Sequence, residues 1–128
     1  LDENREPDID RKMEQCVAMV SDAVKFFKEK PLGEACRSFQ RDLVWRKGEI
    51  FPFVFDTDGT CFVHDDDLTV IWKTFNTTKA GAGESLIQRM LKVAENGGWV
   101  SYEWDNGYKL SYVKMVKKAD KNYLIGAG

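Results

Sequence analysis

The chain predicts an α+β fold built on an antiparallel sheet of about five strands. Three observations carry this. Two helical patterns open the chain, and no strand-like run precedes them. "EIFPFVFD" (49–56) and "TCFVHD" (60–65) are aromatic and β-branched runs joined by a short Asp/Gly turn. "WVSYEWDNGYKLSYVKMV" (99–116) is a pair of alternating runs around Asn106-Gly107, the strongest short-range hairpin signal. Short turns between strands require antiparallel pairing. No strand–helix–strand repeat of the kind that builds a parallel sheet is visible.

Each element has its own justification. Ile9, Met13, Cys16, Val17, Val20, Val24 and Phe27 recur in steps of three and four, which predicts a helix over 8–30 with one apolar stripe. Asp8 after Pro7 suits its N-cap, and Pro31 and Gly33 end it. A shorter helix is expected over 34–44, with Cys36, Phe39 and Leu43 on one side. Phe51, Phe53 and Phe55 share one face of the first strand, and Pro52, which has no amide proton to give, must turn that position away from a partner. Residues 66–83 form a long connection of the sort that serves as a binding loop or lid. A helix over 84–95 follows, carrying Leu86, Ile87, Met90, Leu91 and Ala94 on one face and stopped by Asn96-Gly97-Gly98. A two-residue turn at Asn106-Gly107 sets Trp104 opposite Lys109, Tyr102 opposite Ser111 and Trp99 opposite Lys114. A turn over 119–122 leads to the last strand, "YLIGAG".

Composition bounds the function. With 128 residues, 43% of them apolar, the chain makes one domain with a real core. A net charge of −2 argues against a nucleic-acid footprint. No apolar run approaches the ~20 residues that span a bilayer, and no signal peptide is visible. The polar start "LDENREPD" and the stop inside "YLIGAG" read as a domain excised from a longer protein. Cys16, Cys36 and Cys61 share no metal-like spacing, and a single histidine cannot complete a common zinc set. No metal and no cofactor are implied. The cysteines read as buried thiols, with a Cys16–Cys36 disulfide as the alternative, since both lie on helices.

"FDTDGT" (55–60) admits several readings. It looks like the nucleophile loop of haloacid-dehalogenase-like phosphatases, which would make Asp56 the nucleophile and Asp58 the acid and base of a metal-dependent phosphatase. That chemistry needs a parallel sheet and further downstream motifs, and antiparallel hairpins follow here instead. It also mimics the start of a calcium loop, but Asp67 stands where a bidentate Glu is needed. The third reading is a hairpin corner: Asp56 caps turn amides, and Gly59 supplies positive φ at low cost. The corner explains every residue type, and no catalytic group is expected.

The corner brings out a wider resemblance. "FPFVFDTDGTCFVH" is similar to the first hairpin of single Cache sensor domains, and "GGWVSYEW…YKLSYVKMV…YLIGAG" resembles their second half. The likeness covers residues 8–128, with its specific motifs from 49 onward. It implies a PAS-like five-stranded antiparallel sheet with a long N-terminal helix (8–30) and short connecting helices, the sheet and pocket occupying 49–128 of a single domain over 1–128. It also implies an extracytoplasmic or periplasmic sensor of a bacterial histidine kinase or chemoreceptor, membrane-anchored through its parent protein, that binds a small molecule such as a short carboxylate. A homodimer through the N-terminal helix and a standalone periplasmic binding module are further expectations.

An anionic ligand needs one or two donors in a largely apolar cavity. Lys109 and Lys114 are donors on an aromatic strand; Trp99, Tyr102, Trp104 and Tyr112 each join a polar tip to a wide apolar body. The expected ligand-binding set is Phe53, His64, Trp72, Trp99, Tyr102, Trp104, Tyr112 and Lys114. Alternation puts Tyr102 and Trp104 on one face and Trp99 on the other.

Overall fold

A computed structural model describes residues 2–64, 86–104 and 107–128, with side chains for all of these except 2–8, 103, 104, 107 and 108. The elements are α1 (Asp2–Glu29), α2 (Leu32–Arg41), a 3₁₀ turn (Leu43–Trp45), β1 (Pro52–Asp56), β2 (Cys61–Val63), α3 (Leu86–Ala94), β3 (Gly98–Trp104), β4 (Gly107–Lys118) and β5 (Lys121–Ala127). The five strands form one antiparallel sheet in the order β2-β1-β5-β4-β3. The last strand in sequence therefore lies at the centre. This is the α+β, PAS-like architecture that the strand and turn pattern predicts.

The sheet separates two apolar layers. On one face α1 and α2 cover Val54, Val116, Tyr123, Ile125 and Ala127. On the other, α3 covers Phe53, Phe55, Val100, Tyr102, Val113 and Leu124. Odd-numbered residues of β1 and even-numbered residues of β5 share the α3 face, as a period of two requires. α1 buries Cys16, Met19, Val20, Ala23 and Phe27. Ile9 and Val17, expected on the buried stripe, are 46% and 39% exposed, because Met19 and Ala23 rotate the contact line to their side of the helix. α1 also begins at Asp2, ahead of the expected start, so Pro7 lies within the helix as its sixth residue rather than ahead of its N-cap.

α2 ends earlier than expected. Asp42 adopts extended backbone (φ −82, ψ 130), so the helical phase breaks and Leu43 swings out to 80% exposure. Trp45 takes the place expected for Leu43, with its ring 4.8 Å from Phe39 and its Nε1–H donating to Ser38 Oγ at 3.0 Å. The residues before β1 do not extend the strand: Lys47 and Ile50 exchange backbone hydrogen bonds across a tight turn with Gly48 at φ +63. Pro52 stands first in β1, a position where a strand tolerates a missing donor.

The second hairpin departs from expectation in register. Trp104 pairs with Gly107, Tyr102 with Lys109 and Trp99 with Tyr112, two residues displaced from the expected pairs. A two-residue slip leaves every side chain on its expected face, so the alternation cannot detect it. The β4–β5 turn has Ala119 and Asp120 both at positive φ, as a primed two-residue hairpin turn requires.

Asp56 is a corner. Its Oδ1 accepts from the backbone amides of Asp58 (3.0 Å) and Thr60 (2.9 Å), and Gly59 at φ +88 completes the turn. Lys121 Nζ stands 3.8 Å from Oδ2. The phosphatase reading loses its premise here, because the sheet is antiparallel and this carboxylate is committed to turn amides.

The cysteines are free and buried, as read from the sequence; Cys16 and Cys36 are not joined. Burial raises all three thiols above the usual 9.0, Cys36 to about 11 and Cys61 to about 12. Among the described residues no helix is long and apolar enough to cross a membrane.

Candidate functional site

The α3 face of the sheet carries the candidate site. Phe53, Phe55, His64, Leu86, Met90 and Tyr102 enclose a cavity of about 10 Å³, room for about one water, among the described residues. The seat of its Phe53 wall follows from "GAG". Ala127 points at the helices, and Gly126 lies opposite Phe53 in the ladder with no side chain on the cavity face. A Cβ at Gly126 would stand 2.4 Å from the Phe53 ring and 2.9 Å from Val113. The bare backbone lets that aromatic ring lie down across the central strand.

His64 is held at the rim from both sides. Gln40 of α2 brackets its backbone, accepting from His64 N–H at 3.2 Å and donating to His64 O at 3.4 Å. Its imidazole stacks on Phe53 (6.4 Å between centroids, 29°) and meets Phe51 edge-on at 5.9 Å. Tyr102 and Ser111 form a buried hydroxyl pair at 2.9 Å, brought together by β3–β4 pairing. Lys109, across the ladder from Tyr102, is half-buried and holds its ammonium 4.4 Å from the Phe51 ring centroid. One sheet face thus gathers an imidazole, two hydroxyls and a cation around aromatic walls. Such a surface can orient a small anionic or polar molecule. Among the described residues no cluster of His, Cys, Asp and Glu is arranged to hold a metal ion.

The expected ligand-binding residues divide. Phe53, His64 and Tyr102 come together here. Trp99, Tyr112 and Lys114 do not: they lie on the helix face, Trp99 meeting Tyr112 edge-on at 5.3 Å and Lys114 reaching solvent. The reason is strand parity, since Tyr112 and Lys114 are even-numbered on a strand whose odd members face α3. Trp72 falls outside the described residues, and so does the side chain of Trp104. Lys109, considered beside Lys114 from the sequence, is the lysine that the ladder turns toward the aromatic face. Ser111 and Met90 were missed; the alternation around Tyr102 was the signal that could have found Ser111.

A family model described as "Cache domain" matches residues 1–128. The chain belongs to the Cache domain family. This Cache domain is similar to a methyl-accepting chemotaxis protein from Vibrio parahaemolyticus, at 18% identity and TM-score 0.68 over 97% of this chain and 93% of that one. It is also similar to a Cache chemosensory domain whose structure concerns carboxylic acid recognition, at 14% identity and TM-score 0.72 over 96% of each chain. A third similar structure is the periplasmic sensor domain of a chemotaxis protein, at 17% identity and TM-score 0.61 over 100% of this chain and 96% of that one. No curated protein matches this Cache domain in sequence. At these identities the structural likeness speaks to the fold, which agrees with the single-Cache resemblance read from "FPFVFDTDGTCFVH" and "YLIGAG".

Proposed function

We propose that this Cache domain is the extracytoplasmic sensing module of a bacterial signalling protein of the chemoreceptor or histidine kinase type. Its ligand is a small organic carboxylate, bound over the α3 face of the sheet. The observation that carries this reading is the convergence of His64, Lys109 and the Tyr102–Ser111 hydroxyl pair on a face otherwise made of Phe51, Phe53 and Phe55. A carboxylate suits these donors, and apolar walls strengthen each bond by excluding water. A similar structure concerned with carboxylic acid recognition supports the same ligand class. Signalling proceeds by population shift: the ligand favours one arrangement of the cavity walls, and central β5, whose Gly126 lies against the Phe53 ring of that wall, carries the bias to its neighbours. The parent protein is membrane-anchored and works as a dimer through α1.

A thermal-shift screen against short mono- and dicarboxylates tests this. A ligand at a concentration ~100-fold above its Kd adds about 2.7 kcal/mol of stability. Lys109→Met and Tyr102→Phe should each weaken the best hit about tenfold, the loss of one charge-assisted or buried hydrogen bond. No shift across the acids, or a hit indifferent to both substitutions, would overturn the assignment.

A further inference from the structure

A second concavity lies at the end of the sheet where α1 packs, and Lys109, whose ammonium also sits over the Phe51 ring, stands between it and the aromatic site. It encloses about 830 Å³, within the range typical of small-molecule sites and far larger than the aromatic cavity. Three elements build it. The third and fourth turns of α1 supply Ile9, Met13 and Lys12; the Lys47–Ile50 turn supplies a second wall; Trp99 and Leu110 supply the third. Gly128 adds no side chain to it. Ile9 and Leu110, on separate elements, are 46% and 43% exposed, so an apolar occupant would cover both.

Charge gives this groove its character. Lys12, Lys47 and Lys109 line it, with Glu49 the one acidic group among its described lining residues. The chain as a whole carries −2, so the local excess of positive charge runs against the global balance. Apolar walls rimmed by lysines complement a molecule with one anionic end and a plain hydrocarbon body: methylenes lie against Ile9, Met13, Ile50 and Trp99, and the head meets ammonium groups at the rim.

We infer that this groove is a second binding site, with walls distinct from those of the aromatic cavity and only Lys109 within reach of both, for an amphipathic monoanion: an aliphatic carboxylate of medium chain length. The site spans α1, the β3–β4 hairpin and the turn before β1, so an occupant ties that part of the helix to the sheet end.

The test is calorimetric titration of the chain with sodium decanoate below its micellar concentration, beside decanol and acetate. Decanoate should saturate one site whose affinity depends on the groove lysines. Decanol, which lacks the charge, and acetate, which lacks the body, should each compete with decanoate for that site at least about tenfold more weakly, whatever heat acetate gives on the α3 face. Lys12→Gln with Lys47→Gln, both exposed and outside the core, should weaken decanoate about tenfold, as should Ile9→Asp. Tyr102→Phe, in the aromatic cavity, should leave decanoate affinity unchanged. Four results would each overturn the inference. They are no saturable decanoate binding, equal binding of decanol, loss of binding in Tyr102→Phe with retention in the lysine double variant, and a sedimentation result in which a second copy of the chain covers the groove and excludes decanoate. Lysine-dependent binding to phosphatidylglycerol vesicles without binding of free decanoate would also overturn it, in favour of a membrane surface.

Discussion

Asp56 offers a substitution pair that separates a corner from a catalyst. Both turn amides, from Asp58 and Thr60, donate to the same carboxylate oxygen, Oδ1. Asp56→Asn keeps an oxygen at that position and loses only the charge. Asp56→Ala removes the acceptor and strands both amides. A hydrogen bond to a charged group contributes about 1.5–3 kcal/mol, and bonds sharing one acceptor are not independent, so Asp56→Ala should cost about 3 kcal/mol. A neutral acceptor makes a bond roughly half as strong, so Asp56→Asn should cost about 1 kcal/mol. The ion pair adds little, because Lys121 is 58% exposed and 3.8 Å away. For a domain of this size 1 kcal/mol moves Tm by about 3–5 °C, so the alanine variant should melt about 10 °C below the parent and the asparagine variant about 4 °C below. Thermal and urea unfolding followed by circular dichroism measure both. Equal losses in the two variants, or an alanine cost under about 1 kcal/mol, would refute the claim that this oxygen holds the turn.

Three further outcomes follow from the packing. Gly126→Ala forces a methyl into the Phe53 ring and Val113; it should cost about 1–3 kcal/mol in urea unfolding and abolish the carboxylate-induced thermal shift, because the ring is displaced into the cavity. Lys118 donates to the carbonyl oxygens of Phe27 (2.7 Å) and Lys30 (2.5 Å) at the end of α1, so Lys118→Met should cost about 1–2 kcal/mol and speed amide exchange in the last turn of that helix. Burial lifts Cys36 to about 11 and Cys61 to about 12, so a thiol reagent at pH 8 should label native protein far more slowly than unfolded protein. These raised values also fix a sign. Between about pH 9 and 11 the unfolded chain releases thiol protons that the folded chain keeps, so stability falls as pH rises, by up to about 1.4 kcal/mol per pH unit for each thiol. Cys61→Ala should flatten that alkaline slope.

Much of the fold was legible because the signals were local. Phe51, Phe53 and Phe55 alternate with Pro52 and Val54, so their shared face follows from strand geometry alone. Asp56-x-Asp-Gly marks its own turn. Errors arose where a local pattern had two solutions or a neighbour overrode it. Leu43 fits the α2 stripe, but Asp42 breaks the helix and Trp45, with more area to bury, takes the core position. Asn106-Gly107 invites a turn of its own, yet Gly107 enters the ladder opposite Trp104, and that displacement leaves the alternation unchanged.

The candidate site was legible only in part, for the same reason. Sequence alone marked Phe53, His64 and Tyr102 as candidates and placed Trp99 on the opposite face from Tyr102. It favoured Lys114 over Lys109 as the site's donor; five positions apart on one strand they must point to opposite faces, and the ladder turns Lys109 to the aromatic one.

The sequence by itself determined the kinds of elements, the two faces of each strand, the Asp56 corner and the Cache resemblance, because all of these depend on residues within a few positions of each other. Tertiary structure alone decided that β5 runs through the centre of the sheet, that Gly126 lies beneath Phe53, that His64 and Lys109 meet across Phe51, and that a lysine-rimmed groove opens beneath α1. Those contacts join residues dozens of positions apart. They are settled by which strand order buries both faces of the sheet at once, a balance of the whole chain that no local pattern encodes.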